Sequence, residues 1–293
     1  VIRRARREDL PLLMELWEAS FGDSRAYISF FFENRFSPRE TFFYEEEGRP
    51  VSMLFLLNAT VQCAQGHYAA RYLYAACTEQ AYRGRGLMRS LIDFAALAAA
   101  EEGADCIALV PASQSLFRYY ADCGFQNAFY CETVRLSRQE AEEIASGTSG
   151  FSGPLTAQEM AEIRRNALQN RDHLIWDDGA VRYALEEHLF TGGNALCVKT
   201  AEAGEGYCLY QQQENACIVQ ELLASERAVL PHLFSALTGA CDAWEFSLRC
   251  PAGLLPLSNR AEKNAYGMLR PISRRAAQLP LTLQNAYLGL SLG

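Results

Sequence analysis

Arg83-Gly84-Arg85-Gly86 places two glycines and two guanidinium groups in one short turn. A strand pattern enters the turn over residues 68–78. A helix pattern leaves it over 87–102, with apolar residues at 87, 88, 91, 92, 94, 95 and 98. Glycine lets a ligand approach the backbone closely. The first N–H groups of a helix lack intrahelical partners, and the helix dipole adds positive potential at that end. Such a turn suits a phosphate-bearing ligand, and Arg83, Arg85 and Arg89 add full charges nearby. The spacing is not that of a nucleotide P-loop. Nor is it the dinucleotide fingerprint, whose third glycine position is Arg89 here. On its own the turn also reads as a tight bend with solvated arginines.

Other chemistry is thinner. Ten cysteines are scattered along the chain without a Cys-x-x-Cys pair, and the four histidines are isolated, so no metal site is expected. Several cysteines sit in apolar runs, which reads as free thiols packing a core in a reducing, cytoplasmic compartment. Cys77 has no histidine close in sequence to activate it as a nucleophile. The net charge of −8 gives no electrostatic basis for nucleic-acid binding. No uninterrupted apolar run is long enough to span a membrane, and the N-terminus lacks the apolar core of a secretory signal.

The elements that would position the turn alternate between strand and helix over residues 1–136. A strand over 2–5 precedes helices over 10–21 and 27–36. A hairpin pairs 41–44 with 51–62 around Gly48-Arg49-Pro50. After the turn come a strand over 105–110, a short helix over 115–121 and a strand over 129–136. Ser137 to Glu140 and Thr156 to Glu159 read as capping boxes. Between them lies a Gly/Ser/Thr-rich linker. The expected organisation is an active domain over 1–145, a linker over 146–155 and a second domain over 156–293. The second half repeats the order of hairpin, helix and strand. Its exit, Arg249-Cys250-Pro251-Ala252-Gly253, echoes Leu109-Val110-Pro111-Ala112-Ser113. No glycine pair occurs after Leu223, and Glu226 stands where a phosphate would sit, so no phosphate-bearing ligand is expected in this half.

The stretch from Tyr72 to Ile92 resembles motif A of the GNAT acyltransferase superfamily. Gly84 and Gly86 fall at its two small positions, and Ala81 departs from the usual Gln or Arg. The segment from Leu116 to Phe125 resembles the family's Tyr-x-x-x-Gly-Phe signature, with Tyr120 at the tyrosine. The pattern most resembles the tandem, Eis-like members, in which an active first unit precedes a degenerate second one. The resemblance implies an α/β fold with a mixed sheet, built as two GNAT-like units.

It also implies an N-acetyltransferase using acetyl-CoA and a small-molecule or peptide amine, which attacks directly in a ternary complex. Ala76, Cys77 and Thr78 would then hold the pantetheine arm. Arg83, Gly84, Arg85, Gly86, Leu87 and Met88 would take the pyrophosphate, and Ser113 would touch the cofactor beyond the next strand. Tyr120 would protonate the departing thiolate. Glu33 and Asp23 are base candidates by location, and the C-terminal carboxylate of Gly293 is one by analogy with Eis-like relatives. A non-catalytic CoA-binding regulator is the alternative from another class. The amine's identity and homo-oligomer formation stay open.

Overall fold

The computed structural model describes residues 1–145, 148, 152–256, 260–283 and 285–291. Half of the expected linker, and Gly293, lie outside them. In chain order the first elements are β1 (Ile2–Arg4), α1 (Leu10–Phe21), α2 (Arg25–Asn34), β2 (Thr41–Glu46) and β3 (Arg49–Cys63). Then follow β4 (Gly66–Thr78), α3 (Leu87–Glu101), β5 (Cys106–Leu109), α4 (Gln114–Asp122) and β6 (Gln126–Ser137). Next come α5 (Arg138–Ala145), β7 (Ser152–Gly153), α6 (Ala157–Leu168), β8 (His173–Ile175) and α7 (Asp178–Phe190). The chain continues with β9 (Asn194–Thr200), β10 (Gly204–Gln213), β11 (Ala216–Ala224) and α8 (Leu230–Ala240). It closes with β12 (Glu245–Cys250), β13 (Glu262–Pro271) and α9 (Leu279–Thr282).

Two compact units emerge, and neither is one run of chain. The first comprises Val1–Val61, Gly66–Asn127 and Gly267–Thr282. Its strands run in the order β1-β2-β3-β4-β5-β13. β4 and β5 are parallel, and β5 pairs antiparallel with β13 from Met268↔Leu109 to Pro271↔Cys106. β3 is buried continuously from Pro50 to Leu57, as a strand covered on both faces must be. α3 lays Leu91, Ile92, Ala95, Ala96 and Ala99 on the sheet, a helical stripe whose alanines allow close approach.

The second unit comprises Gln62–Gln65, Ala128–Tyr266 and Leu283–Gly293. Its strands run β6-β12-β11-β10-β9-β7, with β11 and β12 parallel. This differs from the expected sorting of strands. The strand expected to close the first half, β6, pairs with β12 of the second unit, from Glu245↔Ser137 to Cys250↔Glu132. β13 takes the place beside β5. The tail is held within the second unit. Tyr130 N donates to Ala286 O at 2.8 Å, and Leu174 N donates to Tyr287 O at 2.9 Å. The Tyr287 hydroxyl donates to the buried Glu221, which also receives Arg164 Nη1 at 2.6 Å and the Tyr207 hydroxyl. A buried carboxylate supplied with three donors is a satisfied one. Among the described residues no helix is long and apolar enough to cross a membrane.

Candidate active site

Beyond Tyr72 the partners on either side of β4 part company. Its parallel ladder with β5 covers Ala70↔Cys106 to Tyr72↔Ala108, whereas β4 itself continues to Thr78. Ala75 has φ of 46°, a left-handed conformation that costs an ordinary residue about 1–2 kcal/mol. Strain of this kind persists where the surrounding fold imposes it, and it marks sites. Ala76, Cys77 and Thr78 follow Ala75 as the last residues of β4, beyond its ladder with β5. The Ser52 hydroxyl donates to Cys77 O at 3.0 Å and lies 2.9 Å from Thr78 Oγ1. Arg83 Nε donates to Thr78 O at 2.9 Å.

A short 3-10 turn, Gln80–Tyr82, then leads to Gly84 and Gly86, with φ of 77° and 75°. Both values lie where side-chain-bearing residues are strained. A Cβ added at either glycine would meet no atom within 4 Å, so the backbone is open to close approach. Gly86 caps α3 and brings no side chain to its first N–H groups. The arginines divide their work. Arg83 and Arg85 stay exposed at the turn, and Arg85 pairs with Glu46 at 3.2 Å. Arg89 instead donates to Asp122 O, tying α3 to the end of α4.

Ser113 is the exposed N-cap of α4, its Oγ 2.9 Å from Ser115 Oγ. Tyr120, on the same helix, is buried among residues of α3, β5 and the Phe125 ring. Its carbonyl accepts Phe125 N at 3.0 Å, which explains the fixed offset between the tyrosine and the Gly-Phe pair. Burial, with Cys123 adding to it, pushes the Tyr120 phenol up to about 12. Tyr119 is partly exposed, and burial raises it as well. Burial also pushes the Cys77 thiol up to about 12. It stays protonated at neutral pH, as a core thiol does and an activated nucleophile does not.

On the side of α1 and α2 the structure brings aromatic rings of α1, α2 and β4 together. Trp17, Phe31 and Tyr74 pack at tilted angles, with centroids 4.7 Å apart for Trp17–Phe31 and 5.3 Å for Phe31–Tyr74. The Tyr27 and Tyr74 hydroxyls lie 3.2 Å apart. Tyr74 directly precedes Ala75. Trp17 Nε1 donates to Asp23 Oδ2 at 2.8 Å, which fixes that half-buried carboxylate, whereas Glu33 is exposed on α2. Of the aromatic run in α2, Phe31 and Phe32 are buried and Phe30 only partly. Among the described residues no group of three or more His, Cys, Asp or Glu is placed to hold a metal ion.

Residues 1–128 match the family model described as acetyltransferase (GNAT) domain. No curated protein matches the chain significantly. Among solved structures, Eis1 from Mycobacterium abscessus aligns with TM-score 0.72 at 14% identity, covering 94% of this chain and 75% of that one. A GCN5-related N-acetyltransferase from Kribbella flavida gives 0.72 at 14% identity, over 92% of this chain and 70% of that one. A tandem GNAT protein from the clavulanic acid biosynthesis pathway gives 0.52 at 13% identity, over 93% and 98%. At such identities the likeness concerns the fold. The domain match sets the class over residues 1–128, which are similar to GNAT acetyltransferase domains, and it supports a transferase. Taken over both units, its fold is that of the tandem-GNAT, Eis-like proteins.

Proposed function

We propose that the protein transfers an acetyl group from acetyl-CoA to a primary amine, which attacks directly in a ternary complex. The observation that carries this reading is the turn at Gly84 and Gly86. It combines left-handed backbone, free approach and an uncapped helix start in one place. The amides of Gly84, Arg85, Gly86, Leu87 and Met88 would receive the pyrophosphate, with the Arg83 and Arg85 guanidiniums beside it. Ala76, Cys77 and Thr78 would meet the pantetheine arm where β4 leaves β5. A backbone N–H there would polarise the thioester carbonyl. Ser113, the N-cap of α4 past β5, would touch the cofactor.

Tyr120 would give its proton to the departing thiolate. In water a thiol near pKa 8–9 is the stronger acid, roughly, so transfer from a phenol near 12 would run uphill. The same dry surroundings that raise the phenol also raise a thiol leaving into them, which narrows the gap. The amine would arrive from the side of α1 and α2. There Asp23 is the one base candidate oriented by a partner, Trp17.

Calorimetric titration with acetyl-CoA tests the reading. One site per chain is expected, abolished by Gly86→Val while circular dichroism shows a folded protein. Absence of binding at millimolar ligand, or binding untouched by the substitution, would sink it.

A further inference from the structure

The second unit repeats the strand geometry of the first but not its turn. β11 and β12 pair in parallel from Ala216↔Glu245 to Val219↔Leu248, and β11 then runs on to Ala224. A cavity of about 310 Å³ lies at these strand ends. In open α/β sheets, ligands bind outside the carboxyl ends of parallel strands. The volume is at the small end of metabolite pockets. Leu223, Ala224 and Leu254 give it apolar walls, and Arg171, Arg227 and Glu226 line it as charges.

We propose that this cavity is a binding site for a small carboxylic acid with an apolar body. Arg171 and Arg227 each spend an N–H on one turn, donating to Ala252 O at 2.7 Å and to Gly253 O. A guanidinium has five N–H donors in a fork that matches a carboxylate. Two arginines against Glu226 leave one net positive charge, which suits a monoanion. Phosphate and coenzyme A suit the site less. The segment before α8 has no glycine, and Val229 N is already donated to Glu226 O at 3.2 Å. Pro231, in the first turn of α8, has no N–H to offer.

The full chain carrying Gly84→Val, which removes the proposed first-unit site, is titrated by calorimetry with acetate, butyrate, hexanoate and benzoate. Inorganic phosphate and coenzyme A form the other arms. The expected result is one carboxylate site whose affinity rises about fourfold per added methylene until the cavity is full. Arg171→Gln should weaken it about tenfold. Ala167→Phe, which fills the cavity from its wall, should abolish it. If Arg171→Gln does not fold, the filled variant carries the test. The proposal is overturned if no carboxylate binds at about 10 mM, if binding survives Ala167→Phe, or if phosphate or coenzyme A binds there more tightly. Because the first-unit site is removed throughout, these outcomes do not depend on the acetyl-CoA reading.

Discussion

At Tyr120 one environment would serve both packing and the proposed chemistry. Its ring fills the core between α3, β5 and Phe125, and burial lifts its phenol to about 12. The proton is therefore present throughout the range in which an amine can be deprotonated to attack. Tyr120→Phe keeps the ring and removes the proton. The expected outcome is a fall in kcat of about a hundredfold with the KM for acetyl-CoA nearly unchanged. The wild-type profile should show no descending limb from this phenol below about pH 10. Steady-state kinetics across pH checks both, and an unchanged kcat in the variant would remove Tyr120 from the chemistry. The geometry of the turn glycines and of Tyr120 was readable because it rests on local backbone and short spacing. Tyr74 and Trp17 were harder to find. Tyr74 meets Tyr27 across 47 positions of chain, and no period in a sequence encodes such a meeting.

Helix boundaries followed capping chemistry closely. Thr156 Oγ1 accepts Glu159 N at 3.2 Å, and the Glu159 carboxylate accepts Thr156 N at 3.0 Å, so the expected box forms at the start of α6. Ser137 and Glu140 form the other, with Ser137 N donating to the carboxylate at 2.8 Å. Where a cap went unread, the boundary moved. Ser24 Oγ accepts Tyr27 N, so α2 begins at Arg25 rather than at 27. Thr156→Ala should lower stability by about 1 kcal/mol, and Thr156→Ser should restore most of it. Urea unfolding reads this as a shift in midpoint at constant slope. An unshifted midpoint in the alanine variant would mean the box contributes nothing. Strand partners were less readable than strands. The β6 run reads as a strand and the β13 run does not, since it lacks alternation, and nothing in either run states that β6 pairs with β12 and β13 with β5. That choice is made by long-range packing.

At the scale of the whole molecule, composition predicted the fate of the cysteines better than that of any other residue type. All ten are buried and free, six of them in strands or strand ends of the second unit. Burial of so many ionisable thiols has a consequence for stability against pH. Burial pushes Cys77 and Cys250 up to about 12 and Cys197 to about 11, against 9.0 for an unperturbed thiol. It raises Cys208 and Cys217 as well, and it lifts Tyr120 from 10.0 to about 12. Each group thus holds its proton more tightly when folded. The stability that accompanies this is complete below the unfolded value and is lost as pH rises through the folded one. For thiols the window opens near 9.0 and closes around 11 to 12. Each fully buried group that must ionise contributes a slope of about 1.4 kcal/mol per pH unit inside it. Thermal melts under reducing conditions should therefore give a flat melting temperature up to about pH 8.5 and a steepening fall above about 9. A melting temperature that stays level to about pH 11 would show that water reaches the thiols, and the dry cores inferred for the two units would then be wrong.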